Sequence, residues 1–396
     1  VLIRKAFKFR LYPNQAQQQT LAAQFGHARF VYNHFLQVRR EHYATHQEGL
    51  RYHDTALMLT TLKRDPEHGW LREADSQVLQ QTLKDLERAF VNFFEGRARL
   101  PRFKSRRAEQ SLRYPQRVKV DLAARRTYLP KVGWIRTVFH SPLEGTIKNV
   151  TVSKTRSGRY YAAFQVELEI AAPDPQGELA GLDLGLSAFA ALSDGRKFEN
   201  PRHVLQAERR SRRLQKSLSR RQKGSAGWER QRQKVARQHE QIANQRRDFQ
   251  HKLSRVLVEE HRLIAIEDLH IRGILQNRRL AKHISDAGWG QFVGMLAYKG
   301  AWYGYEVVVT DRWYPSSKTC SAWGSEMSSM PLNVRTWECS LCGVQHDRDV
   351  NAAINLLNQT TVGTTGSHAD GVHVRPGRQY IQAGTKKSEA PQLAAR

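Results

Sequence analysis

The spacing of apolar residues divides the chain into blocks of two textures. Residues 1–12 alternate hydrophobe and cation, as in Phe7-Lys8-Phe9-Arg10-Leu11, which predicts a strand ending at Tyr12-Pro13-Asn14. From Gln15 to Arg107 the texture is helical. One helix runs through Leu21, Phe25 and Phe30 to Phe35. Another carries Val78, Leu79, Leu83, Leu86, Phe90, Phe93 and Phe94 on one stripe and ends at Gly96. Strand texture returns over residues 112–170, so strand 1–12 is expected to pair with this later set, the helical block being inserted between them. Pro173, Asp174, Pro175 and Gly177 mark a linker.

Beyond the linker two runs are continuously apolar, the mark of strands buried on both faces. The first is Ala180-Gly181-Leu182-Asp183-Leu184, followed by a second strand closed at Asp194-Gly195; the other is Leu263-Ile264-Ala265-Ile266-Glu267-Asp268. Between them, residues 201–260 read as a long helical pair broken at Gly224-Ser225-Ala226-Gly227. His346-Asp347-Arg348-Asp349 opens a last helix with an apolar face. The domain scheme expected is a strand domain of residues 1–12 and 112–172, with a helical insert over 13–111. An α/β domain follows over 177–312 and 344–358, carrying a small cysteine module at 313–343. The segment 359–396, rich in Gly, Thr, Ser and Pro and basic, is expected to be a disordered tail.

Charge changes the picture more than composition does. Sixty-four Lys and Arg face 37 Asp and Glu, a net +27 spread from Arg4 to Arg396, which favours contact with a long phosphate backbone. No run approaches the ~18 apolar residues of a membrane span. Arg97, Arg99, Arg102 and Lys104 surround Phe103 in one loop, a composition suited to phosphate contact and base stacking, or to a solvated linker. On the helical pair, Arg209, Arg210, Arg213, Lys216, Arg220 and Arg221 meet few acids, which favours a nucleic-acid groove wall over a salt-bridged face.

Asp183 lies inside an apolar strand, Glu267 ends a second one, and Asp349 starts the last helix. Acids placed so are costly unless paired or bound to a metal. Three from separate segments can converge on hard divalent cations, as in two-metal nucleases. Each alone is more often a structural carboxylate; on so basic a chain their joint occurrence points to a nuclease. Asp268 and Asp347 compete for the roles, and strand alternation sends Asp268 to the face opposite Glu267.

All three cysteines, Cys320, Cys339 and Cys342, fall in one stretch, which argues for a metal site in a reducing compartment rather than disulfides. Cys339-Ser340-Leu341-Cys342-Gly343 is a zinc-ribbon knuckle, and its partner is Cys320-Ser321-Ala322-Trp323-Gly324, with Trp323 where a fourth cysteine is expected. Three thiolates can hold zinc weakly, with water or His346 as fourth ligand, or remain inert. His346 is assigned to the acidic loop in preference to the metal.

Taken in order, Phe7-Lys8-Phe9-Arg10-Leu11-Tyr12-Pro13, Gly181-Leu182-Asp183-Leu184-Gly185, Ile266-Glu267-Asp268-Leu269, Pro315-Ser316-Ser317-Lys318-Thr319-Cys320 and Asp347-Arg348-Asp349-Val350-Asn351-Ala352-Ala353 resemble the TnpB (OrfB) family. These are transposon-encoded relatives of type V CRISPR effectors, and the likeness runs from about residue 1 to 358. It implies an α/β fold: an RNase H-like (RuvC) nuclease domain with an inserted zinc ribbon, preceded by a wedge-like β-barrel that carries a helical insert. It further implies that Asp183, Glu267 and Asp349 are catalytic with magnesium, and that Cys320, Cys339 and Cys342 are an incomplete zinc set. A guide RNA from the transposon end would pair with target double-stranded DNA in the prokaryotic cytoplasm, at the nucleoid. Trp323 departs from the family pattern. The acids alone leave open a strand-transferring transposase, and Trp323 leaves open a catalytically decaying regulator of transposition.

Overall fold

The computed structural model describes residues 1–171, 174, 176–331 and 333–365. Its elements are β1 (Leu2–Tyr12), α1 (Gln15–His46), α2 (Tyr52–Leu62), a 3-10 segment (Pro66–Glu73), α3 (Ser76–Phe94), β2 (Gln110–Tyr114), β3 (Lys119–Asp121), β4 (Arg126–Leu129), β5 (Gly133–Val138), β6 (Thr146–Lys154) and β7 (Tyr160–Glu169). There follow β8 (Glu178–Asp183), β9 (Ala188–Leu192), β10 (Lys197–Glu199), α4 (His203–Ser219), α5 (Ala226–Glu260), β11 (His261–Glu267), α6 (Ile271–Ile274), α7 (Ala281–Ala287), α8 (Trp289–Tyr303), β12 (Glu306–Thr310), β13 (Thr336–Glu338), β14 (Gln345–Asp347) and α9 (Arg348–Thr365). The chain forms two compact units, residues 1–171 with 218–237, and 172–217 with the chain from 238 onward.

In the first unit the alternation of β1 buries Ile3, Phe9 and Leu11 on one face. β1 pairs antiparallel with β7, Leu2 opposite Glu169 through Leu11 opposite Tyr160, and with β5 beyond Arg10. The sheet order is β2-β6-β7-β1-β5-β4-β3. Among the described residues β2 and β3 remain edges, so the expected closed barrel is an open sheet. It still curls around one core, because Phe9, Leu112, Leu129, Ile135, Val150 and Phe164 from six strands form a single cluster. Asn14 and Gln17 cap α1 reciprocally. Val31, Phe35 and Leu36 of α1 then pack with Leu59, Leu71, Leu79 and Leu83. α2 and the 3-10 segment escape the sequence pattern.

The second unit holds the sheet β10-β9-β8-β11-β12, in which β8, β11 and β12 pair parallel and β9 runs antiparallel between β8 and β10. Ala180, Leu182, Ile264 and Ile266 join one core with Leu257 of α5 and Phe292 and Leu296 of α8. Strand alternation turns Gly181, Asp183, Ala265 and Glu267 to the other face, where α9 lies against β8 and β11. Gly181 has to be glycine: a Cβ there would stand 1.7 Å from the Ala353 carbonyl oxygen. Helix α9 continues to Thr365, through the first residues of the segment expected to be a disordered tail; the rest of that tail lies outside the described residues.

Gly181→Ala should force α9 off the sheet and destabilise the protein by about 2–3 kcal/mol, by overpacking. Gly294→Ala, whose Cβ would meet nothing within 4 Å in α8, should stabilise it by about 0.5–1 kcal/mol. Denaturant melts of the two variants check this contrast.

Candidate active site

β8 and β11 end together: Leu182 pairs with Ile266, so the next residues along each strand, Asp183 and Glu267, are neighbours on the α9 face. The helix starts at the same end. Asp347 is its N-cap, Oδ1 accepting from the N–H groups of Asp349 and Val350, each at 3.1 Å. Asp349 therefore sits in the first turn, and its charge is among those that bear on Asp183. The structure brings the three sequence-predicted acids together.

Burial pushes the Asp183 carboxyl up to about 7, the negative charges of Asp349 and Glu267 adding to it while Arg348 and Lys197 pull the other way. Burial also raises Glu267, with Asp268 adding and Arg312 opposing. Among the described residues, burial and neighbouring charges act on both carboxylates and no hydrogen-bond donor does. A cluster of oxygen donors under mutual repulsion, without donors of their own, fits hard divalent cations. Asp268 is drawn off by the Arg312 guanidinium, as the alternation predicts.

Two cations that sequence reading missed flank Asp349. Lys197 Nζ lies 3.8 Å from its Oδ2 and Arg335 Nη1 lies 3.6 Å from its Oδ1. Neither has a sequence signal, since Lys197 stands 152 positions away in a short edge strand. Arg335 also lines a cavity of about 330 Å³ with Ser187, Asn200, Arg202 and His283.

The cysteine module folds as twin turns. The N–H of Cys320 donates to Ser325 O and that of Cys339 to Val344 O, while Gly324 and Gly343 donate back to Cys320 and Cys339. Both glycines have positive φ, 79° and 70°. Trp323 thus occupies the backbone position equivalent to Cys342, with its ring two-thirds exposed. The three Sγ atoms lie within 4.8 Å of one another. The Ser325 hydroxyl and the N–H groups of Cys342 and Leu341 hold the Cys339 thiol well below the usual thiol range, as a zinc thiolate requires. His346 belongs with this cluster and not with the acidic loop: β14 pairs it opposite Trp337, and its Nε2 is 3.1 Å from Cys320 Sγ. Buried Asn351 and Asn355, one turn apart on α9, donate to Thr319 O at 2.7 and 2.6 Å, fastening the module to the helix.

Of the predicted nucleic-acid contacts, Arg99 and Arg102 are exposed, Arg97 pairs with Glu95, and Lys104 Nζ lies 4.0 Å from the Tyr32 ring centroid. Arg209, Arg210, Arg213 and Lys216 lie on the exposed side of α4, which buries nothing fully, and Arg220 and Arg221 follow it. The outward face of the first sheet adds a stripe that sequence reading missed. Lys8 and Arg10 lie 4.6 and 5.1 Å from the Tyr161 ring, Arg136 lies 5.9 Å from Tyr12, and Arg126 lies 5.3 Å from Trp134. The period-2 spacing of Lys8, Arg10 and Tyr12 was the available signal.

Residues 163–278 match the OrfB_IS605 family, described as a probable transposase, and 289–356 match a Cas12f1-like TNB domain. Residues 3–48 match a helix-turn-helix domain, although here they form β1 and the single helix α1. A Streptomyces pristinaespiralis protein named "Putative RNA-guided DNA endonuclease" is 39% identical over 99% of this chain and 97% of its own length. InsQ of Escherichia coli K12, which carries the same name, is 37% identical over 89% of this chain and 91% of its own. The chain belongs to the TnpB (OrfB) family. A solved Cas12f1–sgRNA–target DNA complex aligns over 91% of this chain and 99% of that one at TM-score 0.48 and 12% identity, too distant to bear on the site.

With a folded-state value near 7 against an unfolded ~3.8, Asp183 binds more protons folded than unfolded. Metal-free stability should therefore fall as pH rises from about 4 to 7 and level off above. Asp183→Asn should remove that slope and raise metal-free stability at pH 8 by about 1–3 kcal/mol, read by denaturant melts across pH. Trp323→Cys should raise bound zinc toward one equivalent and raise the melting temperature, since the backbone turn for a fourth thiolate is already formed. Metal analysis and calorimetry check it.

Proposed function

We propose that the chain is an RNA-guided, divalent-metal-dependent DNA endonuclease of a transposable element, cutting at Asp183, Glu267 and Asp349. The single observation that carries this reading is the convergence of those carboxylates from β8, β11 and α9 at one end of a parallel strand pair. The family supports it, because both full-length relatives are named as RNA-guided DNA endonucleases. An RNase H-type (RuvC-like) sheet with a ribbon ahead of α9 is the architecture this reading assigns to the second unit, and an inserted helical block in a strand domain to the first.

Magnesium, when bound, would supply activation of the attacking water and neutralisation of charge at the scissile phosphate. Asp183, Glu267 and Asp349 would hold it, the buried strand ends keeping the carboxylates fixed while repulsion among them favours a doubly charged partner. Zinc would be held by Cys320, Cys339 and Cys342 with His346 beside them. The exposed arginines of α4 and the cation–aromatic stripe would grip the RNA and its DNA partner by backbone and stacked bases, leaving sequence choice to base pairing. A transposon-end RNA as guide and target double-stranded DNA as substrate complete the reading. Among the described residues no helix is long and apolar enough to cross a membrane.

The test is purification from cells carrying the native locus, sequencing of bound RNA, and cleavage of plasmids matched or unmatched to that RNA. Matched plasmid should be cut with magnesium by the wild type, and Asp183→Ala should lose at least about 10³-fold of that rate, as loss of a catalytic ligand does. Equal cutting by both proteins contradicts the site; strand joining without RNA would instead favour a transposase.

A further inference from the structure

We infer that Lys197 is a positioning residue for DNA cleavage: its ammonium fixes Asp347, and through Asp347 the first turn of α9 that presents Asp349. This role presupposes the three-carboxylate site proposed above.

Lys197 Nζ donates to Asp347 Oδ2 at 2.7 Å. The other oxygen of the same carboxylate takes the N–H groups of Asp349 and Val350. One side chain therefore joins the lysine to the start of the helix. The sheet register delivers the lysine to that place. Lys197 pairs with Ala191, and Ala191 with Asp183, so the three form one row across β10, β9 and β8 with side chains on the same face. Two strand spacings, about 10 Å, separate Lys197 from Asp183. A lysine at the rim of the row thus reaches the helix end, at 2.7 Å from Asp347 Oδ2 and 3.8 Å from Asp349 Oδ2. The Asp194-Gly195 turn, with Gly195 at φ 94°, sets this register; a slip of one residue would turn Lys197 to the opposite face.

Arg335 acts from the other side. Its guanidinium faces Asp349 Oδ1, and its carbonyl accepts the N–H of Arg348 at 2.8 Å. The sheet and the cysteine module therefore each extend one cation to the same helix start. A lysine that only balanced charge would hinder a divalent cation, and removing it would tighten metal binding. A lysine that positions the helix leaves a loose α9 start when removed, whatever the metal concentration.

Lys197→Ala, Lys197→Arg and Asp347→Asn separate these roles in the full-length protein. Amide exchange at Asp349 and Val350 should quicken about tenfold in Lys197→Ala and recover in Lys197→Arg. In guided plasmid cleavage, kcat of Lys197→Ala should fall about tenfold with KM for target DNA unchanged, and excess magnesium should not restore it. Asn at 347 keeps a cap acceptor but not the charge, so Asp347→Asn combined with Lys197→Ala should cut no more slowly than Lys197→Ala alone. Unchanged amide exchange in Lys197→Ala overturns the positioning role, whether or not the wild type cuts DNA. A rise in KM alone would make Lys197 a DNA contact, and an unchanged kcat reached at lower magnesium than the wild type needs would make it a charge balance; either overturns it too. A wild type whose cutting does not depend on Asp183 would fail the proposed function instead, and amide exchange would still decide the role of Lys197.

Discussion

Everything at the site depends on how closely helix α9 can lie against β8. The approach is backbone on side-chain-free backbone, Ala353 O over Gly181, with Ala352 and Ala353 fully buried beneath the helix. Any side chain at 181 would lift the helix by an ångström or more and carry Asp349 with it. Because Asp183 follows Gly181 by two residues on the same face, the contact that sets the helix also sets the distance between the first and third carboxylates. Packing and chemistry are the same interaction here.

That closeness has an electrostatic cost. Three carboxylates meet at strand ends where burial and mutual repulsion drive Asp183 up toward neutrality. The protein offsets part of it with Lys197, Arg335 and Arg348, none of which hydrogen-bonds Asp183. The cations stand at the rim and leave the centre to an incoming charge. The same rim ties the site to the cysteine module, through Arg335 on one side and the paired Asn351 and Asn355 on the other. Damage at Trp323 can therefore reach Asp349 along covalent and hydrogen-bonded paths, although the turn that holds Trp323 is intact.

The three acids were legible in the sequence because a charge inside an apolar run has few uses. Their setting was only partly legible. Alternation in residues 1–12 announced β1 but not its place in the middle of an open sheet, since closure depends on which edge strands pair. The glycines at 290, 294 and 300 weaken the helical signal of α8. Lys197 and the stripe of Lys8, Arg10 and Tyr161 owe their meaning to partners more than a hundred positions away, and Arg335 to the fold of the cysteine module that returns it to Asp349; composition shows them only as more positive charge. His346 stands three residues from Asp349, which in sequence groups it with the acidic loop, while strand pairing brings its Nε2 to Cys320 Sγ. The intact turn around Trp323 lay beyond a count of cysteines altogether.

The central claim is that Asp183, Glu267 and Asp349 form one divalent-cation site. Crystals of the protein soaked in manganese, with data collected at the manganese absorption edge, test it directly. The account predicts anomalous density between those three carboxylates, lost in Asp183→Ala. Density elsewhere, for instance at the Asp65, Glu67 and His68 cluster, with none between the three acids, would contradict it.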